Sequence, residues 1–145
     1  MNHHLLLRVV TKLLVAPILL FGLYVQFHGD FGPGGGFQAG VIFAVAFILY
    51  GTVNSLSDLR KAFPDWIIHR LMAFGVLLYA GTGVVGLLMG ANYLDYNPLG
   101  GNPISGQHNG IIIVELGVGI TVFAVMIAIY YSFAGRPPKI DDEDW

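Results

Sequence analysis

The sequence predicts an all-α integral membrane protein of four transmembrane helices, with both termini inside and a Gly/Pro-rich external loop between helices 1 and 2. Three observations predict it. Of 145 residues, 55% are hydrophobic and 11% charged, with mean hydropathy +0.69, whereas a soluble domain carries about 25% charged residues. Four apolar runs each approach or exceed the roughly 20 residues that span a bilayer. When those runs alternate direction, all seven Lys and Arg fall on one side, and basic short loops stay in the cytoplasm.

The first run extends from about residue 5 to 27, with Arg8 and Lys12 on one helix face, able to snorkel to the membrane surface. A cleaved signal peptide competes with this reading, but no small-x-small site follows Val25, so an uncleaved span is expected. Pro17 should kink the helix and free the Leu13 carbonyl. The second span covers residues 36–53 and ends in Asn54, Ser55 and Ser57. A polar stretch with Arg60 and Lys61 follows, and Pro64-Asp65-Trp66 marks a helix start at the interface. The third span, 67–90, is apolar apart from His69 and Arg70 near its beginning, and its glycines suit close contact between helices in lipid. Turn residues make 91–109 a loop. The fourth span, 110–134, is interrupted only by Glu115, and an acidic cytoplasmic tail, 135–145, closes a single membrane domain, 1–145. Tyr24, Tyr93 and Tyr96 would line the outer interface, and Tyr50, Trp66, Tyr130 and Tyr131 the inner one.

Composition also excludes functions. The chain has no cysteine, so disulfides, thiolate metal sites and cysteine nucleophiles are ruled out. Its basic residues form no patch that could follow a phosphate backbone, so no nucleic-acid partner is expected. Ser105 and His108 lack any nucleophile signature, and no catalytic, cofactor or metal residues are assigned.

The chemistry concentrates in two places. His28 to Gly40 reads H-G-D-F-G-P-G-G-G-F-Q-A-G. Pro33 fixes its own φ and pushes Gly32 toward an extended conformation, ending one element before Gly34, Gly35 and Gly36 begin the next. Gly36 and Gly40 carry the small-xxx-small spacing that lets two membrane helices approach closely. No Lys-Ser or Lys-Thr follows these glycines, so they do not form a phosphate loop. The second place is Glu115, the only acid inside a span, about one and a half turns into the fourth. A carboxylate in lipid needs a partner or a raised pKa, and commonly serves proton or cation movement; the structural alternative is a residue that fastens this span to another subunit. With no cation at its depth in spans two to four, its partner is expected on another chain or in the loops, His28 and His108 being the nearest internal candidates. His28, Asp30 and His108 share the outer side but lack metal-ligand spacing.

Pro33-Gly34-Gly35-Gly36-Phe37 followed by Gly40, between the first two of four spans, resembles the MnhB/MrpB family, the B subunits of multisubunit sodium/proton antiporters. The family pattern, roughly G-H-N-x-P-G-G-G-F-x-x-G, is matched at those six positions. Upstream, His28-Gly29-Asp30 replaces Gly-His-Asn, and Phe31-Gly32 is added before the proline. His108-Asn109-Gly110 is a weaker cue in the second half.

The resemblance implies a small accessory subunit in a prokaryotic cell or inner membrane, in contact with the lipid bilayer and partnered by other membrane subunits. Among those partners would be a large one similar to the proton-pumping subunits of respiratory complex I. The complex would exchange Na+ for H+ on the proton gradient, with no cofactor. Two alternatives remain open at this point: a purely structural scaffold in such a complex, and the equivalent subunit of a membrane-bound hydrogenase-type ion-pumping complex.

Overall fold

The computed structural model describes residues 2–29, 32 and 34–136, with side chains from Leu5 onward. Five α-helices follow in order: α1 (Asn2–His28), α2 (Gly36–Val53), α3 (Leu56–Ala62), α4 (Asp65–Leu88) and α5 (Pro103–Ala134), with a short 3-10 turn at Asn97–Leu99 before α5. Four of them, all but α3, are long and apolar enough to cross a membrane. No strand occurs among the described residues. Helix α1 continues through Pro17 without interruption. Asp30 and Pro33 lie outside the described residues, as does most of the acidic tail, 137–145.

Helix α5 is the centre of the bundle. It packs along both α4 and α2, while α1 lies on α2 and scarcely touches α5. Small residues set this arrangement. Gly36 and Gly40 of α2 face Glu115 and Gly119 of α5, and Gly51 lies near Tyr130, so α2 and α5 run parallel. On the other side, Gly75 of α4 meets Gly117 and Thr121, and Gly117 lies against Tyr79, so α4 runs antiparallel to α5. Lipid gives helices no hydrophobic incentive to associate, so close backbone approach supplies the packing instead. The connection from α1 to α2 and the segment from α4 to α5 therefore share one end of the bundle, and α3 lies at the other.

At the α3 end the core consists of Ala44, Leu59, Ile68, Ala124, Ile127 and Tyr131. Phe47, Phe63 and Phe123 pack on it edge-on, with ring centroids 4.8 to 5.8 Å apart, the offset geometry that aromatic quadrupoles favour. Ser55 caps α3 by accepting from the Asp58 amide at 3.1 Å, and the Tyr131 hydroxyl donates to the Phe63 carbonyl at 2.8 Å, tying α5 to the connection that follows α3.

The main departure from the sequence reading is the start of α5. The loop expected to reach residue 109 ends at Asn102, whose side chain accepts from the Ser105 amide at 2.8 Å, with Pro103 in the first helical turn. Asn-Pro read as a turn, but it is equally the signature of an N-cap followed by proline at N1. The helix therefore gains seven residues beyond the expected start at 110, and His108 and Asn109 become helical. Likewise α4 covers Asp65–Leu88, in place of the expected 67–90.

Candidate functional site

The site is built where α1 ends and α2 begins. Three backbone contacts fold the connection between them. The Gly32 amide donates to the His28 carbonyl, the Gly35 amide to the Val25 carbonyl, and the Ala39 amide to the Gly35 carbonyl, each at 3.1 Å. Gly35 is the N-cap of α2 and has φ 113°, ψ 176°, a conformation that L side chains seldom adopt. Thus one glycine of the triplet is required by backbone geometry. A methyl on its neighbour Gly34 would stand 2.7 Å from the Val25 carbonyl oxygen, so Gly34 is required by close approach.

Glu115 lies against this fold. A methyl on Gly29 would come 2.6 Å from its Oε1 and 2.9 Å from its Oε2, one on Gly35 would come 3.1 Å from Oε1, and one on Gly36 would overlap the Glu115 backbone carbonyl. Glycines 29, 35 and 36 thus form a side-chain-free cradle for a single carboxylate and its backbone. One turn further, a methyl on Gly40 would stand 2.5 Å from the Gly119 carbonyl, so the Gly36/Gly40 spacing meets a matching Glu115/Gly119 spacing on α5. Glu115 is half-buried and, like His108, is engaged by an interaction within this chain.

Of the remaining expected residues, His28 closes α1, half-buried, its ring stacked on Tyr24 at 5.0 Å. Phe37 is exposed, an aromatic at the α2 start directed out of the bundle. His108 is exposed on α5, two turns before Glu115. Among the described residues, no three His, Asp or Glu side chains come together as metal ligands. Asp30 and Pro33 fall outside those residues.

Sequence reasoning missed Gln26. It is 6% exposed, and its Oε1 stands 3.1 Å from where a methyl on Gly119 would lie, one helical turn below Glu115. Beneath it, a cavity of about 280 Å³ between α1, α2 and α5 is lined by Phe27, Phe43, Phe47, Phe63, Phe123 and other apolar residues. The signal was present, since Gln26 is a lone amide near the end of an apolar run. In this cavity Gln26 is the polar lining residue at the cradle end, and the lining below it is carbon.

The chain matches the family model described as "Domain related to MnhB subunit of Na+/H+ antiporter" over residues 6–128. It belongs to the MnhB family. MnhB relatives from Staphylococcus aureus strains Newman and COL, named "Putative antiporter subunit mnhB2", are 36% identical over 138 residues, covering 92% of this chain and 96% of theirs. A match of that extent takes in all four membrane helices and the glycine cradle, and this member of the family is a multi-pass membrane protein and a transporter component.

Proposed function

We propose that this chain is an accessory membrane subunit of a multisubunit Na+/H+ antiporter and that Glu115, held in the Gly29/Gly35/Gly36 cradle, contributes to the ion path. Family membership supports the first part. The second rests on one observation: a membrane carboxylate sits where the opposing backbone has lost every side chain. Glycine there lets the carboxylate lie directly against backbone at the end of α1 and the start of α2, which any side chain would prevent. Because the lining below Gln26 is apolar, a continuous path requires groups from other membrane subunits, including the large complex-I-like one. The Lys and Arg distribution supports placing the cradle on the outer side and both termini inside.

Glu115→Gln tests the reading, since it keeps volume and hydrogen-bonding capacity but removes the titratable proton. In everted vesicles, sodium-dependent proton exchange should fall about tenfold or more, while the assembled complex on a native gel stays at its normal level. Unchanged exchange across several pH values with normal assembly would make Glu115 structural and favour the scaffold role.

A further inference from the structure

The seam between α4 and α5 carries a second site, at the end opposite the cradle. Arg60, Asp65, His69, Tyr131 and Ser132 are among the residues lining a cavity of about 230 Å³ there. Its chemistry has two signs. Arg60 Nε lies 3.8 Å from Asp65 Oδ1, longer than the roughly 2.7–2.9 Å of a charge-assisted hydrogen bond, and the guanidinium lies over the Tyr131 ring at 5.0 Å. Neighbouring polar groups are already committed. The Tyr131 hydroxyl donates to the Phe63 carbonyl, the Ser132 hydroxyl to the Ala128 carbonyl at 2.9 Å, and His69 Nδ1 pairs with the Asp65 carbonyl at 2.6 Å. Among the described residues, the guanidinium fork and the Asp65 carboxylate make no hydrogen bond to each other and remain open to a ligand.

About 10 Å further along the same seam, by helix rise, Val76, Tyr79, Val118, Thr121 and Val122 line a wholly apolar cavity of about 240 Å³. The Thr121 hydroxyl is turned to the Gly117 carbonyl at 2.8 Å. Asp65, His69 and Val76 on α4, and Ser132, Ala128 and Thr121 on α5, recur at spacings of four and seven residues, which a period of 3.6 places along one face of each helix. Exposed Trp66 and Phe133 flank the polar end, as aromatics do at a membrane interface. A two-signed pocket near the helix ends and an apolar cavity further in thus lie in line on the same faces of α4 and α5.

We propose that this seam binds one phospholipid whose headgroup carries both a phosphate and a primary ammonium: the phosphate on Arg60, the ammonium on Asp65, an acyl chain in the apolar length. A soluble phosphate ester would leave that length unused, and an anionic headgroup without the ammonium would set its charge against Asp65. The inference stands apart from the role given to Glu115, because it uses neither that residue nor the transported ion.

The test is native mass spectrometry of the delipidated full-length chain in detergent, titrated with phosphatidylethanolamine, phosphatidylglycerol and phosphatidylcholine of identical acyl chains. The first should bind about tenfold tighter than the others, as expected for one additional charge-assisted hydrogen bond. Asp65→Asn should bring it down to the level of phosphatidylglycerol. Val76→Trp, remote from every charge in the pocket, should fill the apolar cavity and weaken all three, and soluble glycerophosphoethanolamine should fail to compete. Arg60→Gln should weaken all three as well. Because Arg60 also stacks on Tyr131, that variant is read only if its melting temperature matches the parent, and the Asp65 and Val76 variants decide the matter without it. Equal binding of the three lipids, an ethanolamine preference unmoved by Asp65→Asn, or full competition by the soluble headgroup would overturn the proposal.

Discussion

Glycines that look alike in the sequence divide sharply by what a methyl group would meet. At Gly36 it would overlap the Glu115 carbonyl, forcing α2 away from α5; overpacking of this kind costs about 1–3 kcal/mol even where neighbours can move. Gly35→Ala adds backbone strain at φ 113°, ψ 176°, about 1–3 kcal/mol. Gly81 has nothing within 4 Å, so Gly81→Ala should be silent. Thermal melting of the purified chain in one detergent should therefore rank Gly36→Ala as most destabilised, Gly35→Ala next and Gly81→Ala unchanged. Gly29→Ala belongs to a different class: its methyl meets the Glu115 carboxylate rather than backbone, so it should reduce exchange more than it reduces stability. The Pro-Gly-Gly-Gly motif and Glu115 were both conspicuous in the sequence, as a costly triplet and a lone intramembrane acid. Their meeting was not, because it depends on the parallel register of α2 against α5, and no local pattern encodes the register between helices 79 residues apart.

Among the elements, the apolar runs declared α1, α2 and α4 by length and composition, and α5 was misjudged only at its start, where Asn102-Pro103 serves a turn and a helix cap equally well. The short helix α3 escaped the sequence reading for another reason: seven residues, Leu56–Ala62, carry too little periodicity to stand out, and Ser55 and Asp58 reveal it only as a cap. The Lys61 ammonium, hydrogen-bonded to Asp58 at 3.0 Å, holds that carboxyl below its ordinary 3.8, with Ser55 assisting. Since the folded value is the lower one, the contribution of Asp58 to α3 is full above pH 3.8 and is lost as pH falls through the folded value. An NMR titration of the Asp58 carboxyl carbon in micelles should place its midpoint below 3.8, and Lys61→Met should raise it. A midpoint unaffected by Lys61→Met would assign the effect to Ser55. The Arg60/Asp65 pocket was equally hidden, because Arg60, Asp65 and Tyr131 become neighbours only after three helices have packed.

For the whole molecule, orientation has a simple measurement. The chain has no cysteine, and Ser57 and Gly101 are both exposed at opposite ends of the bundle. In intact cells an impermeant maleimide should label Gly101→Cys and spare Ser57→Cys; the reverse pattern would invert the assignment from basic residues. The bundle is also uneven. Helix α2 has 18 residues and α5 has 32, about 27 and 48 Å by helix rise. Gly51 lies near Tyr130, so the pair is nearly flush at the α3 end, and the excess of α5 stands beyond the α2 start at the other. Glu115 therefore sits at the foot of a step about 18 Å below the tip of α5. Over that step α1 and α2 supply no helix to hold back water or headgroups. On the ion-path role proposed for Glu115, the consequence is electrical: a proton reaching it from the stepped side would cross only a small part of the membrane voltage, of which each 100 mV is worth about 2.3 kcal/mol per full crossing.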